Sequence, residues 1–161
     1  MKRQPTCVCV NLRRAARAVS YLYDEALAAS GIKITQFSLL RAVERNEPIA
    51  ITALAEELEL DRTTLARNLG PLERDRLVLL VAGDDQRVTE VRLTAGGRAA
   101  IARALPLWEK AQAETGRLFA RGRIEQLRVI AVEATAAAAK LRKSSGRVTA
   151  NVGRGAKRRS R

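Results

Sequence analysis

Residues 51–69 read ITALAEELELDRTTLARNL, and this stretch decides the fold. Two short amphipathic segments, 51–58 and 62–69, place apolar residues at three- and four-residue steps, which is the spacing of one helix face. A tight connection separates them, and Asp61 is a residue type that commonly caps the start of a helix. Small and apolar side chains at their contact allow the two helices to cross steeply. The stretch therefore predicts a helix-turn-helix.

The second helix of this pair opens with side chains that suit DNA recognition. No acidic residue lies between Arg62 and Asn68, and the polar side chains there donate hydrogen bonds to phosphates and base edges. The candidates for base contacts in the major groove are Arg62, Thr63, Thr64 and Asn68, while Arg67 suits a base or a phosphate. The competing interpretation is a solvated helix face in an ordinary helical bundle.

Two strands joined by a polar loop follow the helix pair. Residues 77–81 form a continuous apolar run, and residues 88–93 alternate between apolar and polar side chains, as in a half-buried strand. The loop 83–87 between them is then a wing. Arg87 near the tip of this loop suits the negative potential of the DNA minor groove. Asp85 is placed to hold that arginine, or an arginine of the recognition helix.

Thr35 stands at the expected start of the helix that precedes the helix-turn-helix, and Thr52 stands at the expected start of its first helix. Threonine is a good N-cap residue, and the backbone N–H groups at a helix start bind phosphate. We therefore expect both threonines to lie where DNA phosphates approach. With the wing, residues 35–93 then form a DNA-binding winged helix with a two-stranded β-wing.

Three longer segments carry apolar residues at helical spacing. They are residues 11–30, residues 95–121, which Thr94 caps and Pro106 kinks, and residues 123–142. Their apolar stripes are too extensive to pack on a small winged helix alone. Residues 11–30 and 95–142 therefore predict a dimerisation domain, and the fold class is mainly α.

Charge and composition narrow the function classes. The chain has 161 residues, with 30 Lys plus Arg against 17 Asp plus Glu, a net charge of +13. Such an excess favours a polyanionic partner, nucleic acid first. The chain has no histidine, which excludes His-based acid/base catalysis, His-activated nucleophiles and His-ligated metals. It also contains no phosphate-binding glycine loop and no nucleophile elbow, so we predict neither an enzyme nor a protein that needs a cofactor or metal.

Two further features of the sequence concern membrane spans and the basic residues 144–161. No apolar run approaches the ~20 residues of a membrane span, which favours a cytoplasmic protein with no membrane partner. Residues 144–161 hold six basic residues, no acidic ones and three glycines. They cannot bury enough apolar surface to offset chain entropy, so they predict a basic disordered tail after a single domain, residues 7–143.

Five motifs occur in order along the chain: Thr35-Gln36-Phe37-Ser38-Leu39-Leu40, Ile51-Thr52-x-Leu54-Ala55, Leu65-x-Arg67-Asn68-Leu69-x-x-Leu72-Glu73, Asp85-Gln86-Arg87 and Leu93-Thr94-x-x-Gly97. In these motifs the chain resembles the multiple-antibiotic-resistance regulator (MarR) family of bacterial repressors. Taken in this order and spacing, the resemblance covers about residues 9–142. The resemblance implies a homodimer of winged helices that binds short palindromic operators in double-stranded DNA. It also implies release by a small ligand or by cysteine oxidation.

Two features depart from the family pattern. Arg76 stands where the family usually has glycine, just before the first wing strand. A non-glycine residue that ends a helix in the left-handed region costs roughly 1 kcal/mol. Gly70 and Pro71 lie inside the recognition helix and predict a bend in its second half.

Two groups of residues are candidates for the regulatory signal. In the family, the effector pocket lies between the dimer helices and the winged lobe, and its aromatic candidates here are Tyr21, Tyr23, Phe37 and Trp108. Each of them also suits ordinary core packing. Cys7 and Cys9, just before the first helix, are the redox candidates.

Three functional hypotheses follow. The first is a homodimeric, sequence-specific repressor that a small organic effector releases from DNA. The second is a repressor that senses oxidants through its two thiols. The third is a non-specific, nucleoid-associated protein whose basic tail is the chief DNA binder.

Overall fold

The computed structural model describes residues 7–118 and 123–156. In chain order, the helices and strands of these residues are α1 (Val8–Leu27), α2 (Ile34–Asn46), β1 (Ile49–Ala50), α3 (Ile51–Glu57), α4 (Arg62–Arg74), β2 (Val78–Ala82), β3 (Thr89–Leu93), α5 (Ala95–Leu118) and α6 (Arg123–Ala156). A 3-10 turn, Ala28–Ser30, and Gly31 with a φ of 79° follow α1. The chain divides into two compact units, Met1–Ala113 and Glu114–Arg161.

The core of the first unit joins the helix-turn-helix to the sheet. Leu54 of α3 and Leu65 of α4 are fully buried, as are Val78 of β2 and Val91 of β3. Apolar side chains from all four elements therefore pack into one core, and their burial stabilises the lobe. The predicted helix-turn-helix followed by a wing is confirmed.

The wing belongs to a three-stranded antiparallel sheet in the order β1-β3-β2, where the sequence predicted two strands. β2 and β3 pair along their whole length. β1 adds only Ile49, opposite Val91, and Ala50, opposite Glu90. Two residues are too few to show the alternation that identifies a strand, which is why the sequence did not predict β1.

Thr35 and Thr52 do not cap their helices, so this expectation was wrong. α2 begins at Ile34, whose backbone N–H donates to Oδ1 of Asp24 in α1 at 2.8 Å. α3 begins one residue before Thr52, without a side-chain cap. Both threonines lie in first turns instead, and at the start of α2 the carboxylate of Asp24 satisfies one of the free N–H groups.

The structure confirms the expectations for Arg76 and Thr94. Arg76 has a φ of 55°, in the left-handed region. Oγ1 of Thr94 accepts the backbone N–H of Gly97 at 2.9 Å, and its hydroxyl donates to the carbonyl oxygen of Arg76 at 2.6 Å. Thr94 thus caps α5 and ties it to the end of α4. Only glycine fits at position 97, since a Cβ there would lie 2.1 Å from the carbonyl oxygen of Leu77.

Two prolines lie inside helices. α4 continues through Pro71 to Arg74, and α5 continues through Pro106 to Leu118. The predicted end of α5 falls on residues 119–122, outside the described part of the chain. α1 begins at Val8, three residues before the predicted start.

The last helix is longer than the sequence predicted. α6 begins at Arg123, as expected, but continues to Ala156. Residues 144–156 are therefore helical, and the prediction of a disordered tail is wrong for them. Extending an existing helix adds one hydrogen bond per residue, whereas starting a new helix is unfavourable, so polar residues can continue α6. Residues 157–161 lie outside the described part. Within it, no helix is both long enough and apolar enough to cross a bilayer.

Candidate DNA-binding interface

α4 buries one face and leaves the opposite face open. The buried face consists of Leu65, Leu69 and Leu72. Thr63 and Arg67, four residues apart, are exposed on the opposite side. Arg62 and Asn68 are also exposed, and they flank this open face on either side. The helix therefore presents four of the five predicted side chains to solvent.

Thr64, the fifth, is engaged within the protein. Its backbone N–H donates to Oδ1 of Asp61 at 2.9 Å, and its hydroxyl donates to Oδ2 at 2.7 Å. These hydrogen bonds stabilise the carboxylate and hold the pKa of Asp61 below its ordinary value. Asp61 is thus the N-cap that the sequence predicted, and the Thr64 hydroxyl secures the first turn of α4.

The wing holds its arginine through the neighbouring aspartate. Oδ1 of Asp85 accepts the backbone N–H of Arg87 at 3.0 Å and lies 4.0 Å from the Nε atom of the same residue. The loop is closed by backbone hydrogen bonds from Val88 to Asp85 and from Gly83 to Val88, both 2.8 Å. The Arg87 side chain remains 91% exposed. Hydrogen bonds therefore fix the loop backbone, while the guanidinium beside Asp85 stays exposed to solvent.

One groove brings α3, α4 and the wing together. It is lined by Ile51, Thr52, Arg62, Arg87, Val88 and Thr89. Three of these residues, Thr52, Arg62 and Arg87, are candidates that the sequence predicted separately. The lining contains two guanidinium groups and two hydroxyls but no carboxylate. Such a groove suits an anion with several oxygen acceptors, such as a phosphate.

Thr35 is not part of the groove. It is exposed in the first turn of α2, where the backbone N–H of Lys33 is taken by Oε1 of Gln36 at 2.9 Å. Its hydroxyl remains available at the surface of the same lobe.

Three of the four aromatic candidates belong to the core of the first unit. The rings of Phe37 and Trp108 lie 5.8 Å apart between centroids and are tilted by 39°. Tyr23 is buried, and its hydroxyl donates to Oε1 of Gln112 in α5. Gln112 lies one helical turn after Trp108, and the sequence reasoning missed it because a lone glutamine on a helix carries no distinctive signal. The cluster of Tyr23, Phe37, Trp108 and Gln112 therefore combines three aromatic rings with one partly buried polar pair.

Tyr21 lies apart from the other three. It is exposed on α1, two residues before Tyr23 and so on another helix face. A hydrogen bond and the negative charge of Glu25, one turn later, raise the pKa of Tyr21 because both favour the neutral phenol. The structure does not bring Tyr21 to the aromatic cluster.

The two cysteines are free and exposed at the start of α1. Cys7 is the N-cap residue of this helix, and Cys9 lies in its first turn. Both sulfur atoms are therefore accessible to solvent-borne oxidants.

The helix-turn-helix, the open face of α4 and the positive groove beside the wing define a winged-helix DNA-binding protein. Comparison with known proteins specifies the class further. The MarR family profile matches residues 30–87. A crystal structure of the M. tuberculosis transcriptional regulator MosR in complex with DNA is 38% identical, covers 83% of this chain and 98% of that chain, and has a TM-score of 0.73. The chain therefore belongs to the MarR family of transcriptional regulators, and these proteins are not enzymes.

Two further structures are similar. A second crystal structure of M. tuberculosis MosR is 37% identical, covers 83% of this chain and 97% of that chain, and has a TM-score of 0.69. The PcaV transcriptional regulator from Streptomyces coelicolor, in complex with its natural ligand, is 20% identical, covers 86% of this chain and 99% of that chain, and has a TM-score of 0.75. The comparison with curated proteins gives no match.

Proposed function

We propose that the protein is a homodimeric repressor that binds a palindromic operator in double-stranded DNA and is released by a small organic effector. The observation that carries the proposal is the groove lined by Thr52, Arg62 and Arg87. These residues come from three separate elements and converge on one positive surface. The similarity to MosR, which was crystallised with DNA, supports the DNA-binding part of the proposal.

The position of the groove suits one sugar–phosphate strand of a DNA duplex. When a recognition helix lies in the major groove and a wing enters the adjacent minor groove, one sugar–phosphate strand passes between them. The groove lies between the first turn of α4 and the wing. Arg62 therefore neutralises a phosphate of this strand rather than reading a base, while the exposed guanidinium of Arg87 continues into the minor groove.

Base recognition falls to the open face of α4. Arg67 lies opposite the buried leucines and suits a bidentate contact with guanine, and Asn68 suits adenine. Thr63 shares the open face with Arg67. Thr64 contributes through its hydrogen bonds to Asp61, which hold the helix start in place.

Selection of DNA from a pool of random duplexes tests this function. A sequence-specific regulator enriches one palindrome, binds it roughly 10³-fold or more tightly than random DNA, and protects it in a footprint. The fragment upstream of its own gene is the first natural candidate for the same footprint. A nucleoid-associated protein that binds DNA chiefly through its basic tail enriches no sequence and binds all duplexes alike. Such a result overturns the proposal.

Exposed apolar side chains on α1 and on α6 support the homodimer. On α1 they are Val8, Val10, Leu12, Val19 and Tyr21, and on α6 they are Leu127, Val129, Ile130, Val132 and Leu141. Apolar side chains in this number cost free energy in water unless a second surface covers them. A two-fold dimer would place its recognition helices about one DNA turn, ~34 Å, apart. Light scattering that finds a folded monomer at micromolar concentration contradicts this assembly.

The cluster of Tyr23, Phe37, Trp108 and Gln112 supports a binding site for the effector. Apolar rings beside a few polar groups are typical of small-molecule sites, and this combination suits a small aromatic or amphipathic compound. A panel of such compounds, tested for release of the selected duplex, should contain at least one that lowers affinity in the wild type. The same compound should act less on a Tyr23→Phe variant, which keeps the ring and loses the hydroxyl.

Oxidant sensing is the second candidate for the signal. The exposure of both Cys7 and Cys9 at the first turn of α1 favours it. α1 also carries the apolar side chains proposed for the dimer contact. Oxidation at its start would then alter the spacing of the two recognition helices.

A further inference from the structure

Glu47 joins parts of the winged helix that are far apart in sequence. It directly follows α2, and only 17% of its side chain is exposed. Oε1 accepts the backbone N–H of Leu93, the last residue of β3, at 2.9 Å. Oε2 accepts a hydrogen bond from the guanidinium of Arg98, in the first turn of α5, at 2.6 Å. A single carboxylate therefore binds both the end of the wing and the start of α5.

The register of the sheet explains why a side chain is needed at this place. β1 pairs Ile49 with Val91 in antiparallel register, so a longer ladder would place Glu47 opposite Leu93. Pro48 lies between and has no N–H to donate, which ends regular pairing. The carboxylate of Glu47 accepts the Leu93 N–H in place of a main-chain carbonyl.

The same junction is held from its other side by Thr94. The Thr94 hydroxyl donates to the carbonyl of Arg76, at the end of α4. Hydrogen bonds between ionised groups, such as Glu47 with Arg98, are stronger than neutral ones. The turn from β3 into α5 is thus tied to α2 through Glu47 and to α4 through Thr94.

We propose that Glu47 is a positioning residue for DNA recognition, which fixes the wing, and hence Arg87, in its place beside α4. This inference rests on the proposed function. Arg87 lies two residues before β3, and Glu47 holds the opposite end of that strand. Without the carboxylate, the short pairing of β1 with β3 would still join the segment after α2 to the wing, but the end of β3 would lose its hydrogen bond from Leu93 to Glu47.

A double-mutant cycle on DNA affinity tests the proposal. The variants are Glu47→Ala, Arg87→Ala and their combination, and the probe is a duplex that the wild-type protein selects from a random pool. We expect Glu47→Ala to weaken binding about tenfold in the wild-type background and less than about twofold in the Arg87→Ala background, because the contact it positions has already been lost. Equal losses in both backgrounds overturn the proposal.

Two further variants separate positioning from general stability. Glu44→Ala is the matched control, because its ion pair with Arg41 lies within α2, and its effect should be the same in both backgrounds. Glu47→Gln keeps an oxygen acceptor for the Leu93 N–H but loses the charge beside Arg98, so it should restore part of the affinity. If Glu47→Ala does not fold, as judged by thermal unfolding and light scattering, Glu47→Gln carries the same cycle.

The outcome also distinguishes this inference from the proposed function. If Arg67→Ala and Arg87→Ala both leave binding to the selected duplex unchanged, the assignment of the winged helix as the DNA reader fails. If both weaken binding and the Glu47 variants remain additive with Arg87→Ala, only the role of Glu47 fails.

Discussion

The carboxylate of Asp61 accepts two hydrogen bonds from Thr64, one from its backbone N–H at 2.9 Å and one from its hydroxyl at 2.7 Å. The sequence predicted that Thr64 contacts DNA bases, but its hydroxyl donates to Asp61 at the start of α4. The pair therefore stabilises the N-terminal end of α4, the end that we propose enters the DNA major groove. Loss of the pair should loosen the first turn of α4 and reduce both stability and DNA affinity.

The pH dependence of stability should report this pair. The folded-state pKa of Asp61 lies below its ordinary value of 3.8, so its contribution is fully present above that value and is lost as pH falls through the lowered folded value. Urea denaturation should therefore show that wild type has a larger free energy of unfolding than Asp61→Ala at pH 6. This difference should narrow as pH falls below 3.8. Asp84→Ala in the wing loop removes the same charge without a helix cap and serves as the control. A difference independent of pH would contradict the role of the Asp61 charge.

Arg67 and Arg62 should respond differently to substitution. Arg67→Ala should lose roughly 1–3 kcal/mol of discrimination at one base pair, because a bidentate base contact is removed. Arg62→Ala should weaken operator and random DNA alike and reduce the salt slope by ~0.9 for one phosphate. Binding titrations at several salt concentrations on both DNAs measure the two effects. Loss of discrimination in Arg62→Ala would place this arginine on a base instead.

Deleting residues 144–161 should separate electrostatic attraction from sequence recognition. The deletion removes six positive charges and no residue of the winged helix, so non-specific affinity and its salt dependence should fall. Preference for the selected operator should survive. A full-length variant with the same six residues changed to glutamine controls for the shortened helix. If operator preference disappears with the tail, the winged helix is not the reader.

Replacing Arg76 by glycine should stabilise the protein. Arg76 has a φ of 55°, and relief of the left-handed strain is worth about 1 kcal/mol. The hydrogen bond from Thr94 uses the main-chain carbonyl and is kept. Ala66→Gly, at an exposed position in the middle of α4, should instead destabilise by about 1 kcal/mol because glycine weakens a helix interior. Urea denaturation compares the two, and a loss of stability in Arg76→Gly would contradict the strain.

Peroxide treatment decides between the two signals. If the small-molecule effector is the signal, DNA binding by wild type should survive full oxidation of Cys7 and Cys9. Release by peroxide in the wild type, absent from a Cys7→Ser, Cys9→Ser double variant, would establish oxidant sensing instead. Thiol titration before and after treatment confirms that the cysteines have reacted.

The sequence by itself determined the elements whose signals are local. Asp61 and Thr94 cap their helices because a side-chain oxygen meets an N–H three residues later. The helix-turn-helix and the two long wing strands follow from apolar periodicity, and the left-handed position of Arg76 follows from the resemblance, since the family usually has glycine there. The order of these motifs was also sufficient to identify the family.

Only the tertiary structure decided which distant groups meet. Arg62 and Arg87 share a groove although 25 positions separate them, and Glu47 reaches Leu93 and Arg98 across the sheet. The two residues of β1 are too few to show a strand pattern, so the sequence did not predict its pairing with β3. At the start of α2, Asp24 and not Thr35 supplies the oxygen acceptor. Such contacts depend on how helices and strands pack against each other, whereas periodicity and capping depend only on neighbours along the chain.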